Sequence, residues 1–285
     1  MDTGTLYRLA AFTTTPSGGN PAGVWLGDAL PDAAAMQRIA AAVGYSETAF
    51  VAPRSGRRRQ VRYYSPAAEV SFCGHATIAA GVVLGDTAGD GCFLLDTAVG
   101  EVAVEVALRD GQREASLTSV TTRQRAVAPA LLDAVLDLLG WQRDELDPAL
   151  PPVLAWAGAW HLVLAAATPQ RLATLDYPFA ALKALMQREE LTTLQLVHRE
   201  SVTRFIARNP FPVGDVVEDP ATGAAAAALG GYLRDAGLLQ APATLLIRQG
   251  DAMGRPSRLR VDVPEQGGIV VSGPALSIAP PQPPG

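Results

Sequence analysis

Cysteine is scarce: the 285 residues hold two, Cys73 and Cys92. Two thiols can build neither a disulfide framework nor a four-ligand zinc site, and both stand among apolar neighbours, as reduced cysteines of a cytoplasmic protein do. Long apolar runs are missing too. No uncharged apolar stretch reaches the ~20 residues of a membrane span, and Met1-Asp2-Thr3-Gly4-Thr5 has neither the basic nor the apolar part of a leader. A soluble, cytoplasmic chain without membrane contact is expected. Positive charge is in short supply: 23 Lys and Arg against 28 Asp and Glu leave a formal net charge of −5, the wrong sign for a nucleic-acid surface. The basic run Arg57-Arg58-Arg59 follows Ser55-Gly56 between two strand-like segments and reads as a solvated hairpin turn. A phosphate loop with its lysine, a dinucleotide fingerprint and a metal-ligand cluster are absent as motifs, so neither an organic cofactor nor a metal is expected.

What is present is a core. Hydrophobic residues at 48% against 18% charged describe a well-buried globular chain, and the length suits two domains. Short β-rich runs recur at Leu6 to Phe12, Ala22 to Leu26, Thr48 to Ala52 and Val61 to Ser65. Glu101 to Leu108 and Glu114 to Val120 then form a hairpin turned at Asp110-Gly111. Between the early strands the sequence predicts a helix with Pro31 in its first turn, Met36, Ile39, Ala40 and Val43 at helical spacing, and Gly44 as its stop. Beyond a linking region at Thr121 to Ala128 the plan repeats. Helices at Pro129 to Leu139 and Phe179 to Arg188 alternate with strands at Val153 to Trp156, His161 to Ala165, Thr193 to His198 and Thr203 to Ala207. Strands at Thr244 to Gln249, Arg258 to Val263 and Gly268 to Ser272 follow. The prolines of Ala279 to Gly285 predict a loose tail.

Two segments are rich in small residues on every side, Cys73 to Leu84 and Gly223 to Leu233. A helix without a polar face has no side to show water, so each is expected to be a buried central helix with a sheet around it. The expected fold is therefore α+β, with two similar lobes, each a curled mixed β-sheet around its central helix. The lobes are expected at 1–120 and 121–278. Polar loops enter both helices, Glu69 to His75 and Glu218 to Thr222. Their N-termini, at Gly74, His75, Gly223 and Ala224, would offer amides to an anion such as a carboxylate.

Read in order, Phe12-Thr13, Gly19-Asn20-Pro21-Ala22-Gly23-Val24, Ser46-Glu47-Thr48-Ala49-Phe50-Val51, Cys73-Gly74-His75-Ala76-Thr77, Glu218-Asp219-Pro220-Ala221-Thr222-Gly223, and Gln249-Gly250 with Gly254-Arg255-Pro256-Ser257 resemble the signatures of the PhzF-like (phenazine-biosynthesis) isomerases over nearly the whole chain. The resemblance implies a diaminopimelate-epimerase-like fold, in which the last strand can return to the first lobe, and a cofactor-independent isomerase. It also implies a small anionic, carboxylated substrate bound in a cleft between the halves, and a homodimer. It gives Glu47 the proton shuttle, with His75 and Asp219 beside it, and places Ser46, Cys73, Gly74, Gly223 and Ala224 around the substrate. The family's best understood reaction is a proton shift on a dihydro-hydroxyanthranilate ring.

The residues fit these roles on their own terms. Glu47 stands at the edge of an apolar strand, where a carboxylate needs a task or a partner. His75, two residues into a buried helix, reads as a neutral donor or acceptor. Asp219, before Pro220, is expected at the N-cap of the second central helix. Two positions depart from the family. Ala224 replaces a serine whose hydroxyl helps hold substrate, a change that either weakens a carboxylate contact by ~1–2 kcal/mol or reflects a different substrate, and Ala10 replaces an aspartate. Ala224 keeps open a non-catalytic small-molecule or protein-binding homologue. A cysteine-based racemase would need a second thiol near Gly223 to Ala225, where none stands. A Cys73/His75 nucleophile pair is disfavoured because side chains two apart on a helix point away from each other, so Cys73 reads as a small buried residue lining the cleft.

Overall fold

A computed structural model describes residues 4–279. They divide into two compact units, one running up to Thr118 and resuming at Ser272, the other Ser119–Val271. The tail expected from Ala279 lies, beyond that residue, outside the described residues.

The first unit contains β1 (Gly4–Ala11), β2 (Asn20–Gly27), α1 (Ala33–Val43), β3 (Glu47–Ser55), β4 (Arg58–Tyr64), β5 (Glu69–Val70), α2 (Gly74–Ala88), β6 (Gly91–Thr97), β7 (Gly100–Arg109) and β8 (Gln112–Thr118). Pairing runs antiparallel β1–β2, parallel β2–β3, antiparallel β3–β4, parallel β4–β6, then antiparallel β6–β7–β8. The final strand, β17 (Val270–Ser277), pairs with both β8 and β1 and closes a ring of eight strands. Inside it sits α2, buried from His75 to Gly85 and packed on β1, β2, β3, β7 and β8. Its small side chains are what let it fit. A Cβ on Gly81 would come within 2.7 Å of the Ala115 Cβ and 2.8 Å of Val104 Cγ1. On the outside, Met36 and Ala40 of α1 pack on Trp25, Phe50 and Tyr64.

The cap of α1 differs from expectation. Asp32 is the N-cap, its carboxylate accepting from Ala35 N at 2.7 Å. Pro31 therefore precedes the helix, because an aspartate that satisfies an orphan amide outcompetes the proline as the start. The basic run is a hairpin corner only in part. Arg58 and Arg59 already belong to β4, Arg58 bonding Asp96 and Glu101, while Arg57 and Arg59 lie over the Phe93 ring. Cys92, expected among apolar neighbours, is exposed. It pairs with Glu105 on the outward face of the β6–β7 ladder.

The second unit contains β9 (Arg123–Ala126), α3 (Pro129–Leu139), β10 (Val153–Trp156), β11 (Trp160–Ala165), α4 (Pro169–Ala173), α5 (Phe179–Arg188), β12 (Leu191–Ser201), β13 (Arg204–Phe211), β14 (Val216–Asp219), α6 (Gly223–Asp235), β15 (Ala243–Gln249) and β16 (Ser257–Val263). The region expected to be a linker holds β9, which is paired with β10. Arg123 and Arg125 lie over Trp156 and Trp160 at 4.6 and 4.4 Å, contacts invisible to a composition reading. The sheet runs β9–β10–β11–β12–β13–β15–β16, with β14 on β13. It curls so that β9, β10, β11 and β16 all touch α6, whose residues Ala225 to Leu233 are buried. On the other face, leucines of α3, α5, β11 and β12 form the larger core.

Candidate active site

In the first unit the chain leaves α1 through Gly44, whose φ of 72° the glycine accommodates, and Glu47 opens β3. The Gly19 to Val24 segment explains how this strand is held. Gly23 stands opposite Thr48 in the parallel register, and a Cβ there would come within 2.6 Å of Thr48 Oγ1. Only glycine lets β2 approach the residue beside Glu47 this closely.

Glu47 Oε2 lies 3.4 Å from His75 Nε2, with the two side chains 18% and 9% exposed. Ser46 Oγ lies 3.3 Å from the same nitrogen, and Cys73 Sγ lies 3.4 Å from Nδ1. A proton on Nε2 satisfies the set: the thiol donates to Nδ1, and Nε2–H faces the Glu47 carboxylate. Cys73 and His75 thus meet, against expectation. Cys73 is the N-cap of α2 and has extended backbone, φ −145° and ψ 116°, so the helical angle between positions two apart does not apply to it. The cap is braced from below. The buried Tyr63 hydroxyl, pushed well above its ordinary range by desolvation and so neutral, bonds Thr77 Oγ1 at 2.7 Å, and Thr77 Oγ1 donates to the Cys73 carbonyl at 2.7 Å. A Cβ on Gly74 would meet nothing within 4 Å, so this glycine is not a packing requirement.

Ligand atoms of Glu47, Cys73 and His75 all fall within 4.8 Å of one another, near enough to hold one thiophilic divalent ion in principle. In the hydrogen-bonded arrangement each of them already has a use.

Asp219, Gly223 and Ala224 belong to the second unit. The N-cap of α6 is Thr222, and Asp219 ends β14 three residues earlier. Pro220 and Ala221 separate strand from helix, so the aspartate reaches the helix start indirectly, accepting from Thr222 Oγ1 at 2.6 Å. Gln249 ties the turn together. Its Nε2 donates to the Asp219 carbonyl at 2.7 Å and to Thr222 Oγ1 at 3.0 Å, and its Oε1 accepts from Thr222 N at 3.2 Å. Gly250 follows with φ 76°, where a Cβ would fall 2.3 Å from the Arg255 carbonyl oxygen. Thr222 and Gln249 were quoted in the motifs but not expected at the site; the signal was their place beside Asp219 and the glycine. Since the Thr222 hydroxyl is engaged with Asp219, it does not replace the serine hydroxyl lost at Ala224. Behind Asp219, Glu218 is buried in a two-pronged pair with Arg208 at 3.0 and 2.6 Å.

Residues 9–278 match the family described as phenazine biosynthesis-like protein, PhzC-PhzF. The chain belongs to this family. It is 33% identical over 268 residues to a Deinococcus radiodurans protein named an uncharacterized isomerase, covering 91% of this chain and 87% of that one. A Bacillus anthracis phenazine biosynthesis protein of the PhzF family superposes with a TM-score of 0.85 at 21% identity, over 98% of both chains. A hydroxyproline epimerase from Agrobacterium vitis, solved with bound trans-4-hydroxy-L-proline, gives 0.64 at 13% identity over 97% of this chain and 91% of the other. Likenesses at these identities show the fold alone, a strand-rich α+β fold shared with epimerases. With relatives that are named isomerases, the chain is an isomerase of the PhzF-like class.

Proposed function

We propose that this isomerase moves a proton on a small carboxylated, conjugated substrate without a cofactor, and that Glu47 is the shuttle. The observation that supports it is the line Cys73–His75–Glu47, in which a half-open carboxylate faces an imidazole fixed by a braced helix cap. Glu47 takes a proton from one carbon, the C–H electron pair enters the conjugated system, and the protonated Glu47 then returns the proton at another carbon. One carboxylate serves both steps because abstraction leaves it already positioned as the acid. His75 and the α2 amides at Gly74 would orient the substrate's polar groups and stabilise developing charge, a contribution of several kcal/mol where donors are preorganised and dry. Asp219, Gly223 and Ala224 are assigned to the same reaction on the family resemblance. The same proposal reads the two units as two copies of one plan and the enzyme as a homodimer.

The contact of Cys73 with His75 supports a second reading, in which the thiol is the proton donor and acceptor. Heavy-water exchange separates the two. Cyclic and conjugated amino and hydroxy acids are incubated with enzyme in deuterium oxide, and deuterium entry into carbon is followed by NMR. Wild type is expected to exchange its substrate, with or without EDTA. Cys73→Ala should retain the exchange and Glu47→Gln should lose it by at least ~100-fold. Exchange that survives in Glu47→Gln and vanishes in Cys73→Ala transfers the role to the thiol. Loss in EDTA would assign the cluster to a metal, and binding without exchange across the panel would favour a non-catalytic homologue.

A further inference from the structure

The distances around His75 suit a metal ion better than they suit direct hydrogen bonds. Ser46 Oγ and Glu47 Oε2 stand 3.3 and 3.4 Å from Nε2, and Cys73 Sγ stands 3.8 Å from the same atom. A well-made N–H···O bond measures about 2.7–3.2 Å. Around a tetrahedral zinc-like ion, bonds of about 2.3 Å to sulfur and about 2.0–2.2 Å to nitrogen or oxygen set neighbouring ligand atoms roughly 3.3–3.6 Å apart. The hydroxyl and the carboxylate fall on that spacing from Nε2, and the sulfur lies slightly beyond it.

The donor set agrees with the spacing. Thiolate, imidazole and carboxylate are donors that zinc-like ions take. A thiolate and a carboxylate also cancel the two positive charges of the ion, so the complex is neutral where Cys73 and His75 are buried. Two of the ligands come from the start of α2, whose cap is held by the chain from Tyr63 through Thr77 to the Cys73 carbonyl. The third opens β3, which is why no spacing motif announces the set. The Cys73 side chain makes no capping bond to α2, so a turn about its Cα–Cβ bond brings Sγ toward Nε2 without uncapping the helix. Glu47 is the most open of the three and gives the ion its way in.

We infer that Glu47, Cys73 and His75 form a three-ligand site for one thiophilic divalent cation of the zinc class, and that its binding holds the isomerase inactive. On binding, the Cys73 S–H bond breaks and its proton goes to solvent. The thiolate sulfur, His75 Nε2 and a Glu47 oxygen then bond the ion, and the proton that stood on Nε2 passes to Nδ1. The fourth position falls to an oxygen, that of Ser46 or of solvent. A carboxylate that ligates the ion cannot receive a proton from carbon. The inhibition therefore rests on the reading of Glu47 as the shuttle, whereas the binding does not.

The test adds cobalt(II), a coloured stand-in for zinc, to the full chain stripped with EDTA, desalted and kept reduced with a phosphine. A Cys92→Ser background removes the exposed second thiol. One equivalent of cobalt per chain is expected to give a thiolate-to-cobalt charge-transfer band and intense four-coordinate d–d bands, which one equivalent of zinc erases. Cys73→Ser should abolish the charge-transfer band, and Glu47→Gln should weaken cobalt binding at least ~10-fold with an unchanged far-ultraviolet circular dichroism spectrum. A titration without the charge-transfer band, a band that survives Cys73→Ser, or unweakened binding in Glu47→Gln overturns the site. In wild type, zinc should stop the deuterium exchange and EDTA should restore it. Exchange that continues with zinc bound overturns the inhibition and takes the shuttle from Glu47 while the spectra stand. Exchange that needs Glu47 in a chain that gives no cobalt band overturns the metal site and leaves the shuttle standing.

Discussion

An imidazole buried among neutral partners ties stability to pH. His161 has an ordinary value of 6.5 when exposed and is pushed down to about 3 in the fold, so the folded state binds fewer protons than the unfolded chain between these values. The neutral form's contribution is fully present above 6.5 and is lost as pH falls toward 3, at up to ~1.4 kcal/mol per pH unit. Urea unfolding of wild type and His161→Gln, compared between pH 7.5 and pH 5, is expected to show a flatter pH dependence in the variant, by ~2 kcal/mol at the acid end. Parallel curves would mean that the ring stays solvated.

At the scale of elements, the central helices were readable because their composition admits no alternative: a helix small on every side cannot show a face to water. Gly81 states the requirement most sharply. Alanine there gains ~1 kcal/mol of helix propensity, but its Cβ would press on Ala115 and Val104 at under 3 Å, and neither strand can retreat without opening the ring. Gly81→Ala is expected to lower stability by a net ~1–2 kcal/mol, seen as a lower urea midpoint with unchanged slope; an increase would show that α2 has slack. What the sequence hid follows from position rather than type. One residue decides whether Cys73 is helical or a cap, and with it whether the thiol meets His75. Two residues separate Asp219 from the true cap. The row of His161, Thr193, Gln195 and Asn209 could not be seen because each reads as an ordinary strand residue in its own segment, and only register across 48 positions of chain brings His161 and Asn209 onto one face.

At the scale of the whole chain, the motif order carried the family and the α+β class, while the division into units depended on a strand that the sequence could not place with certainty. That strand is β17. Leu9, Ala10 and Ala11 of β1 pair with Ser277, Leu276 and Ala275, and Phe12 N donates to the Pro274 carbonyl at 2.7 Å. A chain stopped after Val271 keeps every other strand of the first unit but leaves β1 and β8 as open edges. It is expected to lose cooperative unfolding of residues 4–118, measured by amide hydrogen exchange, and full protection of those residues would show the ring to be dispensable. The same closure imposes an order on biosynthesis. Residues of β1 leave the ribosome early, yet their last partner is made some 260 residues later, which at 5–20 residues per second is a wait on the order of 10–50 s. Through that interval the nascent first unit carries two unpaired ladders, so its yield in a cell should depend on whatever shields an open edge during translation as much as on the stability of the finished protein.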